Sequence, residues 1–134
     1  YRMKAYFYAA TISVATVFFA TATASADDAE AGKKVFAACR ACHQIGEKAK
    51  NGVGPELNGQ IGRHSGSVEG YKYSPANKDS GIVWDEETFR EYIKHPKAVI
   101  PGTKMIYAGL KDEQKISDLI AYLKQFDAGG KTHD

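Results

Sequence analysis

Cys39 and Cys42 are separated by two residues, and His43 directly follows the second thiol, in the run Cys39-Arg40-Ala41-Cys42-His43. Thiols at that spacing can each form a thioether to one vinyl group along a single porphyrin edge. An imidazole placed directly after them falls over the iron as the proximal ligand. The motif therefore points to one covalently attached haem c. Three other uses of a cysteine pair compete with it. A redox-active dithiol needs a strand–helix–strand setting, and none surrounds these residues. Zinc needs two further Cys or His ligands, and His64, His95 and His133 are scattered singly. A disulfide between Cys39 and Cys42 would close a tiny loop, stabilise little and leave His43 without a role.

The sixth position on such an iron separates a carrier from an enzyme. Beyond residue 26 the only thioether is Met105, set in the breaker-rich loop Ile100-Pro101-Gly102-Thr103-Lys104-Met105-Ile106-Tyr107. A lone methionine also serves as adaptable core filler. The residue pattern leaves Met105, His64, His95 and an open site as alternatives. Arg63, Tyr71, Tyr73 and Trp84 are polar-tipped side chains that could satisfy buried haem propionates. Ordinary loop and rim positions explain them equally well.

These residues need elements to position them, and the first 26 residues are set apart from that task. Arg2 and Lys4 make a short basic start, Ala5 to Ala20 is uncharged and largely apolar, and Ala24-Ser25-Ala26 is a small-x-small cleavage site. Residues 1–26 therefore read as a cleavable secretory signal, and 27–134 as the working domain. An uncleaved anchor is the alternative, because 5–26 approaches bilayer length, although its Thr-Ala-Thr-Ala-Ser end is weakly apolar. Losing Arg2 and Lys4 with the signal leaves 16 basic and 16 acidic residues. The whole-chain charge of +2 therefore gives no case for nucleic acid, and the distribution of charge matters more. Export would carry the protein to the periplasm with no permanent membrane span.

Three helical stretches are expected in 27–134. The first, Ala29 to Ala41, carries Val35 and Phe36 and delivers the cysteine motif at its end. Gly32 lies one turn before Phe36 on the same face, where another element could approach closely. The second starts at Asp85 as N-cap, buries Phe89, Tyr92 and Ile93, and stops near His95 because Pro96 lacks a donor. The third runs from about Asp112 to Phe126 with Ile116, Leu119, Ile120 and Leu123 on one face. Between them, Gln44 to Ser74 loses periodicity and is rich in glycine. So long a loop in a compact domain suits a chain that wraps a bulky ligand and takes part of its core from it. The expectation is a small all-α domain whose folding depends on haem.

Longer segments sharpen this. Gly32-Lys33-Lys34-Val35-Phe36, the cysteine motif, Gly54-Pro55-Glu56-Leu57, Gly62-Arg63, Tyr71-Lys72-Tyr73-Ser74-Pro75-Ala76-Asn77-Lys78, Gly81-Ile82-Val83-Trp84, Ile100 to Met105 and Asp118-Leu119-Ile120-Ala121-Tyr122-Leu123 together resemble the class I cytochromes c. The likeness to bacterial cytochrome c2 and mitochondrial cytochrome c covers nearly all of 27–128. It implies three main helices and long loops wrapped around one haem, in a monomeric single-electron carrier that is not an enzyme. It implies Met105 as the axial ligand opposite His43, with the Pro55 carbonyl holding the His43 ring. Arg63, Tyr73 and Trp84 would bond one propionate and Thr103 would lie near the other, with Asn77 and Tyr92 lining the pocket. Lys48, Lys50, Lys97, Lys104 and Lys111 would flank the haem edge and meet acidic redox partners, from bc1-type complexes to oxidases, reductases or reaction centres. A small haem peroxidase and a membrane-anchored redox module are the rival readings.

The sequence departs from the family at three places. Only two residues separate Phe36 from Cys39, one fewer than in mitochondrial cytochrome c, which favours the c2 branch. Tyr107 stands where phenylalanine is usual. Asn58 replaces a common histidine, which leaves open the hydrogen bonds of its loop.

Overall fold

The computed structural model describes residues 26–133, and the signal expected at 1–26 lies outside them except for Ala26. Helices α1 (Ala29–Phe36), α2 (Pro75–Lys78), α3 (Glu86–Lys94), α4 (Pro96–Val99) and α5 (Glu113–Lys124) follow in chain order. A 3-10 turn at Ala37–Cys39 extends α1. The only ladder contacts among the described residues are isolated bridges, His64 to Val83 and Phe126 to Thr132. The fold is all-α, with three main helices joined by long loops, as expected.

Each main helix begins at an aspartate. Asp28 accepts from the Glu30 and Ala31 amides at 2.9 and 3.1 Å, Asp85 from Thr88 at 2.7 Å, and Asp112 from Lys115 at 2.9 Å. Each carboxylate satisfies amides that no helical carbonyl can reach and places negative charge at the positive end of the helix. Two one-turn helices, α2 and α4, were not expected, and both start on a proline at the first helical position. There the fixed φ suits the helix and the missing amide costs nothing. Pro96 therefore ends α3, with His95 out of the helical region at φ −147° and ψ 69°, and also starts α4.

The helix expected over Ala29 to Ala41 is shorter. It ends at Phe36, and the chain tightens so that both the Cys42 and His43 amides bond back to the Cys39 carbonyl at 3.1 and 2.9 Å. A uniform α-helix cannot direct two adjacent amides onto one carbonyl; the tighter turn can.

The core forms where α1 crosses α5. Phe36, Ile116, Leu119 and Leu123 are at most 2% exposed, and fully burying each such side chain contributes roughly 1.5–3 kcal/mol. Gly32 makes the crossing possible, because a Cβ there would sit 2.5 Å from the Asp118 carbonyl carbon and 2.8 Å from Tyr122 Cβ. Phe89 and Ile93 join this cluster from α3. Trp84, Tyr92 and Ile100 form a second cluster, and Met105 packs against both.

Candidate functional site

A cavity of about 250 Å³ opens between the two clusters. The 3-10 turn brings Cys39, Cys42 and His43 to its wall, and the Ile100–Tyr107 loop brings Thr103 and Met105. Pro55, Arg63, Tyr73, Asn77, Trp84 and Tyr92 complete the set, so every site residue singled out from the sequence faces this one space. His64 and His95, the other candidate iron ligands, lie outside it.

Cys39 and Cys42 form no disulfide with each other. Burial and the neighbouring Cys42 push the Cys39 thiol above its ordinary pKa. The next ring is held firmly. His43 Nδ1 meets the Pro55 carbonyl at 2.7 Å, and a carbonyl can only accept, so the proton sits on Nδ1 and the Nε2 lone pair is free. Burial lowers the His43 pKa, the Pro55 bond opposes that, and the Arg63 charge lowers it further. The net direction keeps the imidazole neutral, the form that binds metals. Gly54 closes in from behind, since a Cβ there would lie 2.6 Å from Nδ1 and 2.9 Å from Nε2.

Met105 is positioned by a closed loop of hydrogen bonds. Its amide donates to Thr103 Oγ1 at 3.2 Å. The Thr103 and Tyr92 hydroxyls are 3.4 Å apart, and Tyr92 donates to Met105 Sδ at 3.3 Å. Each hydroxyl has one proton, so the arrangement is self-consistent only if Thr103 donates to Tyr92 and Tyr92 to the sulfur. Burial raises the Tyr92 pKa, which keeps that proton on the ring. Trp84 packs against Tyr92 with ring centroids 4.7 Å apart.

The polar end gathers donors. Arg63 gives Nη1 to the Asn58 carbonyl at 2.8 Å and Nη2 to the Glu56 carbonyl and Gln60 Oε1 at 3.1 and 2.6 Å. Burial lowers its pKa, against the opposing pull of Tyr73 and Glu56. The Tyr73 hydroxyl accepts from the Val68 amide at 3.1 Å and retains its own proton to donate. Trp84 is 5% exposed and its indole lines the same cavity. Ser65 Oγ donates to Asn77 Oδ1 at 2.8 Å, leaving the Asn77 amide nitrogen as a donor.

Three supporting residues had escaped the sequence reading. Gln60 lies three residues before Arg63, a spacing that could have signalled it. Ser74 caps α2 through the Asn77 amide at 3.1 Å, and Ser74-Pro75 is a recognisable helix start. No local signal marks Ser65, which reaches Asn77 across twelve positions. Asn58 is settled: its side chain makes two bonds to Gly46, at 2.8 and 3.0 Å.

These residues fit a haem. Two cysteine sulfurs, an imidazole with a free Nε2 and a thioether line one largely apolar space, with a guanidinium, a phenol and an indole at its polar side. Val53 and Ile106, 75% and 91% exposed, add an apolar rim. Of the flanking lysines, Lys48, Lys50 and Lys97 are exposed. Lys104 donates to the Lys72 carbonyl at 2.6 Å. The Lys111 ammonium is turned onto the Lys94 carbonyl and His95, with Nδ1 2.8 Å away.

Comparison with known proteins gives a consistent picture. The Cytochrome c family model matches residues 29–127. Cytochrome c2 of Blastochloris viridis is 67% identical over 109 residues, covering 81% of this chain and 86% of the relative. Cytochrome c-550 of Nitrobacter winogradskyi is 64% identical over 104 residues, covering 78% and 95%. The solved structure of cytochrome cH from Methylobacterium extorquens superposes with a TM-score of 0.69 at 47% identity, covering 72% of this chain and 97% of that one.

Proposed function

The chain belongs to the cytochrome c family, and we propose that it works in the bacterial periplasm as a mono-haem carrier passing single electrons between protein partners. It is an electron carrier and not an enzyme, with one haem c attached through Cys39 and Cys42. The bound haem supplies the ferrous–ferric couple. The protein's part is to hold that couple, tune it and present it.

His43 and Met105 would both hold the iron, which would leave no place for oxygen or peroxide. The Pro55 carbonyl fixes the His43 tautomer and raises its basicity. The soft Met105 thioether favours the reduced state. The apolar walls act in the same direction, because burying the positive, oxidised haem core costs more than burying the neutral, reduced one. Arg63, Tyr73 and Trp84 would bind one propionate and Thr103 the other, with Asn77 and Tyr92 lining the pocket. Exposed Lys48, Lys50, Lys97 and Lys104, the last of them lining the cavity, would suit an acidic partner surface. The leader-like residues 1–26 support export, and no helix among the described residues is long and apolar enough to cross a membrane.

One observation carries this reading: Met105 Sδ and the Pro55-held His43 ring line the same cavity as both thiols. The test is Met105→Ala in the holoprotein. Discarding the thioether should lower the midpoint potential, abolish the methionine-to-ferric charge-transfer band and speed cyanide binding, while the haem stays covalently attached. A variant that keeps both potential and band would show Met105 to be core filler.

A further inference from the structure

Segments 42–46 and 54–58 run side by side in the same direction. Gly54 N donates to the Cys42 carbonyl at 2.8 Å and Leu57 N to the Gln44 carbonyl at 2.9 Å, with His43 Nδ1 on the Pro55 carbonyl between them at 2.7 Å. After Leu57 no further backbone bond joins the pair. The Asn58 side chain takes over: Oδ1 accepts from Gly46 N at 2.8 Å and Nδ2 donates to the Gly46 carbonyl at 3.0 Å. One amide thus satisfies both polar groups of a residue twelve positions away, as a partner strand would.

The rest of Asn58 is equally engaged. Its amide donates to Glu56 Oε2, and its carbonyl accepts from Arg63 Nη1 at 2.8 Å. The residue is only 7% exposed, and the C-terminal tail lies against its bonded partner Gly46 and its neighbour Gly59. Asp127 turns the tail by accepting from the Gly129 and Lys131 amides, each at 2.9 Å. Gly130 then lies on the 46–47 backbone, where a Cβ would come within 2.6 Å of Glu47 N. Ala128 lies against Gly59, 3.1 Å from the corresponding Cβ position. With water held off in this way, an unmade bond at Asn58 has no solvent substitute.

We propose that Asn58 is a positioning residue for His43: by pinning Gly46 it locks the 42–46 and 54–58 segments in register and so holds the Pro55 carbonyl on Nδ1. The proposal rests on the reading of His43 as proximal ligand. Loosening the register weakens the Pro55 bond, makes the ring less basic and a poorer electron donor, and so raises the midpoint potential. Arg63 is tied to the Asn58 backbone, so its placement survives side-chain substitution.

The test uses the ferrous holoprotein, reading hydrogen exchange at His43 Nδ1–H by NMR together with the midpoint potential. Asn58→Leu preserves volume but removes both bonds. Exchange should quicken roughly tenfold or more, the factor expected from losing about one buried hydrogen bond, and the potential should rise. Asn58→Asp keeps the acceptor for Gly46 N. It can regain the donor to the Gly46 carbonyl only when its carboxyl is protonated, so its exchange rate relative to the parent should fall towards one as pH is lowered. That return is a rescue which a generally loosened fold would not show, and it preserves the test if the leucine variant does not fold. Parent-like exchange and potential in folded Asn58→Leu, or a ratio of one at every pH in Asn58→Asp, would overturn the proposal. A parent with no slowly exchanging His43 Nδ1–H would instead sink the ligand reading itself.

Discussion

Replacing Gly54 by alanine should damage the site more than its one added methyl suggests. The new Cβ would stand 2.6 Å from His43 Nδ1 and 2.9 Å from Nε2, where ordinary contact starts at 3.4 Å. Cε1 between them would be closer still, so the imidazole has to retreat by at least about 0.8 Å, the shortfall at Nδ1. Any part of that retreat directed away from the Pro55 carbonyl, now 2.7 Å from Nδ1, stretches the bond towards the limit of hydrogen-bonding distance. Overpacking of this kind costs about 1–3 kcal/mol and the weakened bond about 1 kcal/mol more, giving about 2–4 kcal/mol together. In the holoprotein that should lower the guanidinium midpoint by roughly 0.5–1 M. Gly52→Ala is the internal control. Its Cβ would meet nothing closer than the Cys42 carbonyl oxygen, at 3.8 Å, so the change should stay within about 0.5 kcal/mol. Equal midpoints for the two variants, with an unshifted His43 Nδ1–H resonance, would refute the account of how the ring is held.

Changing Cys39 and Cys42 together to alanine should leave a largely unfolded or molten chain, because the space between the two clusters loses its tethered ligand; cooperative unfolding with native helix content would contradict this. Electron transfer to an acidic redox partner should slow as ionic strength rises, since exposed lysines are screened beyond about 8–10 Å. Rates indifferent to salt would remove the docking surface from the proposed function. Within that series Lys111→Gln should matter less than Lys97→Gln, because the Lys111 ammonium is already turned onto the Lys94 carbonyl and His95.

Much of the molecule can be read locally because its signals are local. Cys39, Cys42 and His43 carry their chemistry in their spacing. Asp28, Asp85 and Asp112 mark helix starts through bonds that reach only two or three residues ahead. Phe89, Tyr92 and Ile93 share a face by helical period alone, and Gly32 announced a close approach without saying to what. What no local pattern could decide was which distant residues would meet. No local pattern told Met105 as ligand from Met105 as filler; the fold puts it in the cavity wall and leaves His64 and His95 outside. The bond from Tyr92 to its sulfur spans thirteen positions. Arg63 looked like any loop cation, yet it is anchored by Glu56, Asn58 and Gln60 once the loop closes on itself. Asn58 shows the difference most clearly. As a sequence position it was only a departure from a common histidine, because hydrogen bonds over twelve residues depend on a register set by chain closure. Folding alone brought Gly46 to its amide and laid the C-terminal tail against Gly46 and Gly59.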